Sequence, residues 1–169
     1  MERWSIDLYK EYFKFSAAHF LIFPDGSAER LHGHNYRVFV EIEAELTRHG
    51  LVLDFKQVKP LVRELVDGLD EHWLGPGNHP VLAWKERDDG LIEVRYLERF
   101  YAAPREDVIV LPINNTSSEN LATWIGRELH QRLGKRFADL ALYRLRVAVE
   151  ETAGQSGVYL FTADGRDAT

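Results

Sequence analysis

The sequence predicts an α+β domain in which a four-stranded antiparallel sheet carries two helices on one face. Three features support this fold class: strand-like alternation of apolar and polar residues near both ends, apolar residues at helical intervals between them, and turn formers at the junctions. Strands that precede and follow a group of helices are typical of an antiparallel sheet covered on one side. The length of 169 residues predicts one domain over residues 1–169.

The strands are predicted where every second residue is apolar. The first is expected over residues 5–20 and the second over residues 34–47, with a turn-rich loop at 21–30 between them. The last pair begins near residue 140 and ends with a strand at 158–161. Such a small sheet has exposed edges, which predicts that the chain forms an oligomer.

Two helices are predicted from their caps and periodicity. Asp54 is the expected N-cap of the first, in which Pro60 either kinks the helix or delays its start. The second follows a capping-box pattern formed by Thr116 and Glu119, and Gly134 is its expected end. Between the helices, residues 88–90 predict a hairpin turn.

Composition excludes several classes of function. The net charge of -6 argues against a nucleic-acid partner, since phosphate contacts need a basic surface. No apolar run approaches the roughly 20 residues that span a bilayer, so no membrane role is predicted. The absence of cysteine excludes disulfides and a thiol nucleophile. A cytoplasmic location is expected, and the polar residues 163–169 are expected to fray.

Three histidines share one predicted face of the sheet. His19 continues the apolar parity of the first strand, and His32 and His34 continue that of the second. Two histidines at i and i+2, with a third from a neighbouring strand, form the ligand set of a catalytic zinc site with one position open. The alternative is a hydrogen-bonded core histidine beside a polar strand entrance. Glu151 also falls on an apolar parity, where a carboxylate needs a partner.

Six short blocks of this chain resemble the 6-pyruvoyl-tetrahydropterin synthase and 6-carboxy-tetrahydropterin synthase family, whose members are zinc-dependent lyases with the tunnelling (T) fold. They occur in the family's order and span most of the chain. The blocks are Phe15–His19, His32–Tyr36, Val52–Phe55, Leu69–Asp70, Thr116–Ala122 and Glu151–Thr152. Relative to shorter members, residues from about 79 to 112 are an insertion.

The resemblance implies roles for individual residues. The three histidines fall where the family binds Zn2+, and Glu151 falls where a glutamate holds the guanidine-like edge of the pterin. Ser117, Ser118 and Glu119 fall where the family lines its pterin pocket, although Glu119 also fits a purely capping role. The family further implies a homohexamer of two stacked trimers with active sites between subunits.

One departure from the family concerns the catalytic base. The family's usual cysteine, four residues before the first histidine of the His-Gly-His motif, corresponds to Ala28. The neighbouring Glu29 is the candidate replacement, because a carboxylate can act as a general base. Some branches look similar in using glutamate near this point to cleave dihydroneopterin to a 6-hydroxymethyl pterin. The alternative is that Glu29 is a solvated loop residue.

A second departure lies after the first helix. The family usually has aspartate followed directly by histidine, whereas Glu71 separates Asp70 from His72 here. The spacing of the flanking leucines favours Glu71 in the histidine's place, while the near-neutral pKa of imidazole favours His72 as the proton carrier. We assign Asp70 and His72 as the acid/base pair.

The expected function is that of a zinc-dependent lyase acting on the C6 side chain of 7,8-dihydroneopterin or its triphosphate, with glutamate replacing the usual cysteine. One alternative is 6-carboxy-5,6,7,8-tetrahydropterin synthase of queuosine and 7-deazaguanine biosynthesis. An alternative of another class is a catalytically silent zinc protein that binds a pterin or purine.

Overall fold

The computed structural model describes residues 2–163, so the tail prediction for residues 164–169 lies outside the described residues. Over this range the chain forms ten strands and two α-helices. The elements are β1 (Trp4–Leu8), β2 (Lys14–His19), β3 (His32–Ala44), α1 (Phe55–Asp67), β4 (His72–Pro76), β5 (Ala83–Glu86), β6 (Leu91–Tyr96), β7 (Arg99–Pro104), a 3-10 turn (Arg105–Asp107), β8 (Val108–Leu111), α2 (Ser118–Arg136), β9 (Leu142–Thr152) and β10 (Gln155–Thr162).

Seven strands form one mixed sheet, in the order β10-β9-β3-β2-β4-β8, with β1 also paired to β3. The α+β class and the two helices are confirmed, but the sheet is larger than the four antiparallel strands that the sequence predicts. The added strands β4 and β8 are short and lie parallel to their neighbours. Neither strand alternates regularly between buried and exposed residues, as a strand with one face in water does. Local sequence therefore does not mark them, and their partners on distant strands define their pairing.

The predicted first strand, residues 5–20, is two strands on the same edge of β3. β1 pairs from Trp4 opposite Ala44 to Leu8 opposite Val40. β2 resumes at Lys14, opposite Arg37. Residues 9–13 separate β1 from β2, whereas only residues 38 and 39 separate their partners on β3. The extra residues between β1 and β2 form a turn. Buried positions accordingly change from even numbers in β1 to odd numbers in β2.

Both helices pack against one hydrophobic core on the sheet. Asp54 caps α1 as predicted, since its side chain accepts from the Lys56 N–H, and Pro60 is accommodated within the helix. In α2 the N-cap is Ser117 rather than Thr116, whose hydroxyl instead donates to the Phe20 carbonyl. The helix also continues past Gly134 to Arg136. Neither helix in the described range is long and apolar enough to cross a membrane.

The region predicted as an insertion contains a separate three-stranded sheet, β5-β6-β7. The predicted turn is present, with Gly90 at φ +82°, and the predicted arm is β6. A second hydrophobic core lies beneath this sheet. Its buried residues are Phe20, Ile22, Trp73, Leu82, Ile92, Val94, Tyr96 and Val108. The inserted sheet therefore packs on the strand end that leads out of His19.

Two glycines of α2 offer a matched test of how tightly the helix packs on β10. A Cβ on Gly126 would lie 2.1 Å from Cδ1 of Tyr159, whereas nothing lies within 4 Å of one on Gly134. We expect Gly126→Ala to lower the free energy of unfolding by about 1–3 kcal/mol, because the ring must move. Gly134→Ala is expected to raise it by up to about 1 kcal/mol through helix propensity. Urea unfolding followed by circular dichroism measures both, and changes of the same sign would contradict this packing.

Candidate metal centre

The pairing of β2 with β3 brings the three predicted histidines together. His19 lies directly opposite His32, and His34 follows two residues along on the same face. The ring centroids of His19 lie 4.8 Å from those of His32 and 5.2 Å from those of His34. One nitrogen from each ring can be chosen so that all three lie within 4.8 Å of one another. The three side chains can therefore contact a single ion.

Main-chain carbonyls orient two of the rings. Nδ1 of His19 lies 3.0 Å from the Thr116 carbonyl oxygen, and Nδ1 of His32 lies 2.8 Å from that of Arg30. A carbonyl oxygen can only accept, so each Nδ1 carries the proton and leaves Nε2 with a free lone pair. Second-shell hydrogen bonds of this kind fix the tautomer of metal-binding histidines.

The nitrogens at the centre fit a metal ion. Nε2 of His19 is fully buried and has no hydrogen-bond partner among the described residues. Nε2 of His32 lies 2.9 Å from Nε2 of His34, which is hydrogen-bonding distance, so both atoms reach the same point. Buried polar atoms are rarely left unsatisfied. Three imidazoles are the donor set that suits zinc, copper, iron or nickel, and they leave positions open for a further ligand.

Burial keeps His19 in the form that a metal requires. Desolvation lowers the pKa of His19 below its ordinary value, outweighing the Thr116 carbonyl and Glu151, which act in the opposite direction. The neutral imidazole is the ligand form, because a protonated Nε2 has no lone pair to donate.

Glu151 points at the histidines from β9. Its Oε1 lies 3.3 Å from Nε2 of His19 and 3.9 Å from Nε2 of His34. The Tyr36 hydroxyl donates to the same oxygen at 3.2 Å. Burial and the nearby carboxylate raise the pKa of Tyr36, so it remains a neutral donor. Neither Tyr36 nor Thr116 was assigned to the site from sequence.

Glu29 approaches the histidines from the loop between β2 and β3. Its Oε2 lies 3.9 Å from Nε2 of His32 and accepts a hydrogen bond from the Leu21 N–H at 3.1 Å. About a third of this side chain is exposed. The neighbouring Ala28 packs instead against the second core. At this point of the loop, the carboxylate of Glu29 lies beside His32, whereas Ala28 faces the second core.

Asp70 and His72 lie on the other side of β2. His72 is opposite Ala17, which also pairs with His34, so the two histidines are separated by one strand. Both line a groove of about 510 Å³. The Asp70 carboxylate accepts from the Ser16 N–H at 2.6 Å, while His72 Nδ1 contacts the Asp70 carbonyl oxygen at 2.6 Å. The ring is thus held by a main-chain carbonyl of the same chain.

The predicted pocket residues lie in the first turn of α2 and just before it. The Ser117 side chain caps the helix by accepting from the Asn120 N–H. The main chain of Ser118 and Glu119 packs on Gly157 of β10, where any Cβ would lie 2.2 Å from Glu119 N. This turn directly follows Thr116, the residue whose carbonyl binds His19.

Similarity to known proteins covers nearly the whole chain. The family model for 6-pyruvoyl tetrahydropterin synthase matches residues 7–160. A relative from Methanocaldococcus jannaschii, named putative 6-carboxy-5,6,7,8-tetrahydropterin synthase, is 36% identical over 149 residues, which are 86% of this chain and 88% of that protein. A Pyrococcus abyssi protein of the same name is 29% identical over 138 residues, 79% of this chain and 78% of its own.

Among solved structures, 6-pyruvoyltetrahydropterin synthase from Plasmodium vivax superposes with a TM-score of 0.89 at 26% sequence identity, covering 96% of this chain and 99% of that one. Two further structures of that protein carry alanine or cysteine in place of a glutamate described as a catalytic residue. The Plasmodium falciparum protein of the same function gives a TM-score of 0.84 at 26% identity, covering 95% and 98%.

Loss of one imidazole tests the metal centre. We expect the protein to purify with a divalent transition metal and His34→Ala to lower its affinity by more than about 100-fold, the upper range for outer-shell changes. His49→Ala, whose side chain is exposed and lies outside the three-histidine group, is the matched control and should keep the ion. Metal content is measured by plasma mass spectrometry after dialysis. Equal metal content in the two variants would contradict the assignment.

Proposed function

Because the chain belongs to the 6-pyruvoyl tetrahydropterin synthase family, we propose that it is a zinc-dependent lyase acting on the C6 side chain of 7,8-dihydroneopterin or its triphosphate. The observation that carries this proposal is the Glu29 carboxylate, whose Oε2 lies 3.9 Å from a candidate metal ligand in a chain without cysteine. We further propose that the protein assembles as a homohexamer of two trimers.

The proposed zinc ligands are His19, His32 and His34. When bound, zinc supplies a positive charge that lowers the pKa of a nearby hydroxyl group and stabilises negative charge on oxygen. The partnerless Nε2 of His19 and the close approach of Nε2 of His32 to Nε2 of His34 support this assignment. The carbonyl-bound Nδ1 atoms of His19 and His32 keep those two rings aligned without help from the substrate.

Glu29 is the proposed general base. It removes the proton from the C2′ hydroxyl of the side chain, and the C1′–C2′ bond breaks. The C2′ oxygen becomes the carbonyl of a two-carbon hydroxyaldehyde that leaves, and a proton is delivered to C1′, which stays on the pterin. Cleavage of dihydroneopterin in this way gives a 6-hydroxymethyl pterin. The exposure of Glu29 leaves room for substrate beside it. The catalytic glutamate of the Plasmodium vivax protein, which shares this fold, supports the assignment.

Glu151 is the proposed anchor for the pterin ring. A carboxylate can accept two parallel N–H bonds from a guanidine-like edge. The Tyr36 hydroxyl holds Oε1, which limits rotation of the carboxylate. Ser117, Ser118 and Glu119 are the proposed wall of the same pocket. Anchoring the ring there places the side chain beside the histidines, which lowers the barrier by orientation.

Asp70 and His72 are the proposed acid/base pair opposite Glu29. The groove that both His72 and His34 line supports this role. Because Asp70 holds His72 through its carbonyl, the ring presents Nε2 to the groove.

The second candidate function is 6-carboxy-5,6,7,8-tetrahydropterin synthase. The names of the Methanocaldococcus and Pyrococcus relatives favour it. Incubation of the zinc-loaded protein with dihydroneopterin and, separately, with its triphosphate distinguishes the candidates by the product: 6-hydroxymethyl, 6-pyruvoyl or 6-carboxy pterin. Tight pterin binding without turnover of either substrate would overturn both and favour a silent pterin-binding protein.

Substitution of Glu29 tests the proposed base. Glu29→Gln is expected to lower kcat by about 10²–10⁴-fold, because the amide cannot take a proton. The variant should keep its metal, since Glu29 is not a proposed ligand. Glu11→Gln changes an exposed carboxylate in the turn between β1 and β2, so it is the control and should match the parent. Parent-like turnover by Glu29→Gln would show that another group is the base.

Neighbouring carboxylates on β9 test the proposed anchor. Glu151→Gln should raise KM for the pterin by roughly 10-fold or more, because charge-assisted bonds to the ring are lost. Glu150→Gln removes a carboxylate that pairs with Arg37 and should leave KM unchanged. Metal content separates the roles of Glu151. An unchanged KM together with loss of the ion would assign Glu151 as a metal ligand and contradict its role as the anchor.

A further inference from the structure

The loop that carries Glu29 lies against the inserted sheet. Ile22 and Ala28, near its two ends, form an isolated β-bridge and both contact the second core. The Tyr96 hydroxyl of β6 donates to the Gly26 carbonyl at 2.8 Å. The loop is therefore covered on one side by the sheet β5-β6-β7.

Arg99 of β7 makes the most specific of these contacts. Its guanidinium donates through Nη2 to the Ala28 carbonyl at 2.6 Å and through Nη1 to the Glu29 carbonyl. Two donors of one rigid fork thus bind two successive carbonyls. These carbonyls belong to the peptide groups on either side of the Glu29 Cα, so the guanidinium restrains both groups, which a single donor cannot do.

Leu21 holds Glu29 from the opposite strand of the loop. The Glu29 N–H donates to the Leu21 carbonyl at 3.0 Å, and the Leu21 N–H donates to the Glu29 carboxylate at 3.1 Å. Together with Arg99, these bonds restrain the amide, the carbonyl and the side chain of Glu29. Its carboxylate is thereby kept 3.9 Å from Nε2 of His32.

We propose that Arg99 is a positioning residue for Glu29, and that the inserted sheet serves to hold the catalytic loop in register with the three histidines. The inference rests on the proposed function of Glu29 as the base. Arg99 binds only main-chain carbonyls of the loop, so its effect on the reaction passes through the placement of Glu29. A residue that does not touch the reacting atoms can still affect the rate when it sets the distance between the base and the proton that the base removes.

Hydrogen exchange tests the restraint without any substrate. In Arg99→Met, the Glu29 amide should exchange at least about 10-fold faster than in the parent, since the opening free energy of the loop falls with the loss of two hydrogen bonds. Amides of α2 should be unchanged. Arg95→Met, on the neighbouring strand, removes an exposed arginine paired with Glu93 and should match the parent at Glu29. Parent-like exchange at Glu29 in Arg99→Met would overturn the proposal.

Kinetics test the catalytic consequence. Arg99→Met should lower kcat on the order of 10–10²-fold with KM unchanged, and Arg99→Lys should recover part of that loss through one carbonyl contact. The double variant Glu29→Gln/Arg99→Met should be no slower than Glu29→Gln, because the two residues act through one group. Additive losses would overturn the positioning role. A parent without turnover refutes the proposed function, while the exchange measurement still decides whether Arg99 holds the loop.

Discussion

The pairing register between β2 and β3 is the constraint on which the candidate site depends. It places His19 opposite His32 and Ala17 opposite His34. Buried aromatic residues of the same strands support this register, since Phe15 stacks on Tyr36 with ring centroids 4.8 Å apart. A shift of one strand by one residue would turn its aromatic ring and its histidines together to the face opposite those of the other strand. The apolar pattern that builds the core therefore also directs the three candidate metal ligands to one face.

Sequence alone could predict the features that depend on local period. The three histidines and Glu151 were found because parity along a strand determines the face of the sheet, and the structure gathers all four side chains. The N-cap Asp54 and the inserted turn at Gly90 were also found from local signals. The α+β class followed from the order of these elements, and structural similarity to members of the family confirms it.

Features that depend on distant contacts were missed. Strands β4 and β8 are short, and only their parallel partners identify them. Thr116 serves the site through a carbonyl, a group that every residue has, so no residue pattern marks it. The break between β1 and β2 did leave a signal: buried positions change parity between Leu8 and Phe13, which requires an irregularity between them.

The hydrogen bond from His19 to the Thr116 carbonyl joins the metal centre to the helix that follows it. Thr116 is anchored to the Phe20 carbonyl through its hydroxyl, and the next residue caps α2. Hydrogen bonds thus connect the His19 imidazole directly to the first turn of α2. A ligand that moves the first turn of α2 also moves the Thr116 carbonyl that orients His19, and an ion that holds the His19 ring restrains this turn. Any effect of a ligand at this turn on the affinity of the three histidines for an ion is matched by an equal effect of the ion on the affinity for that ligand, as thermodynamic reciprocity requires.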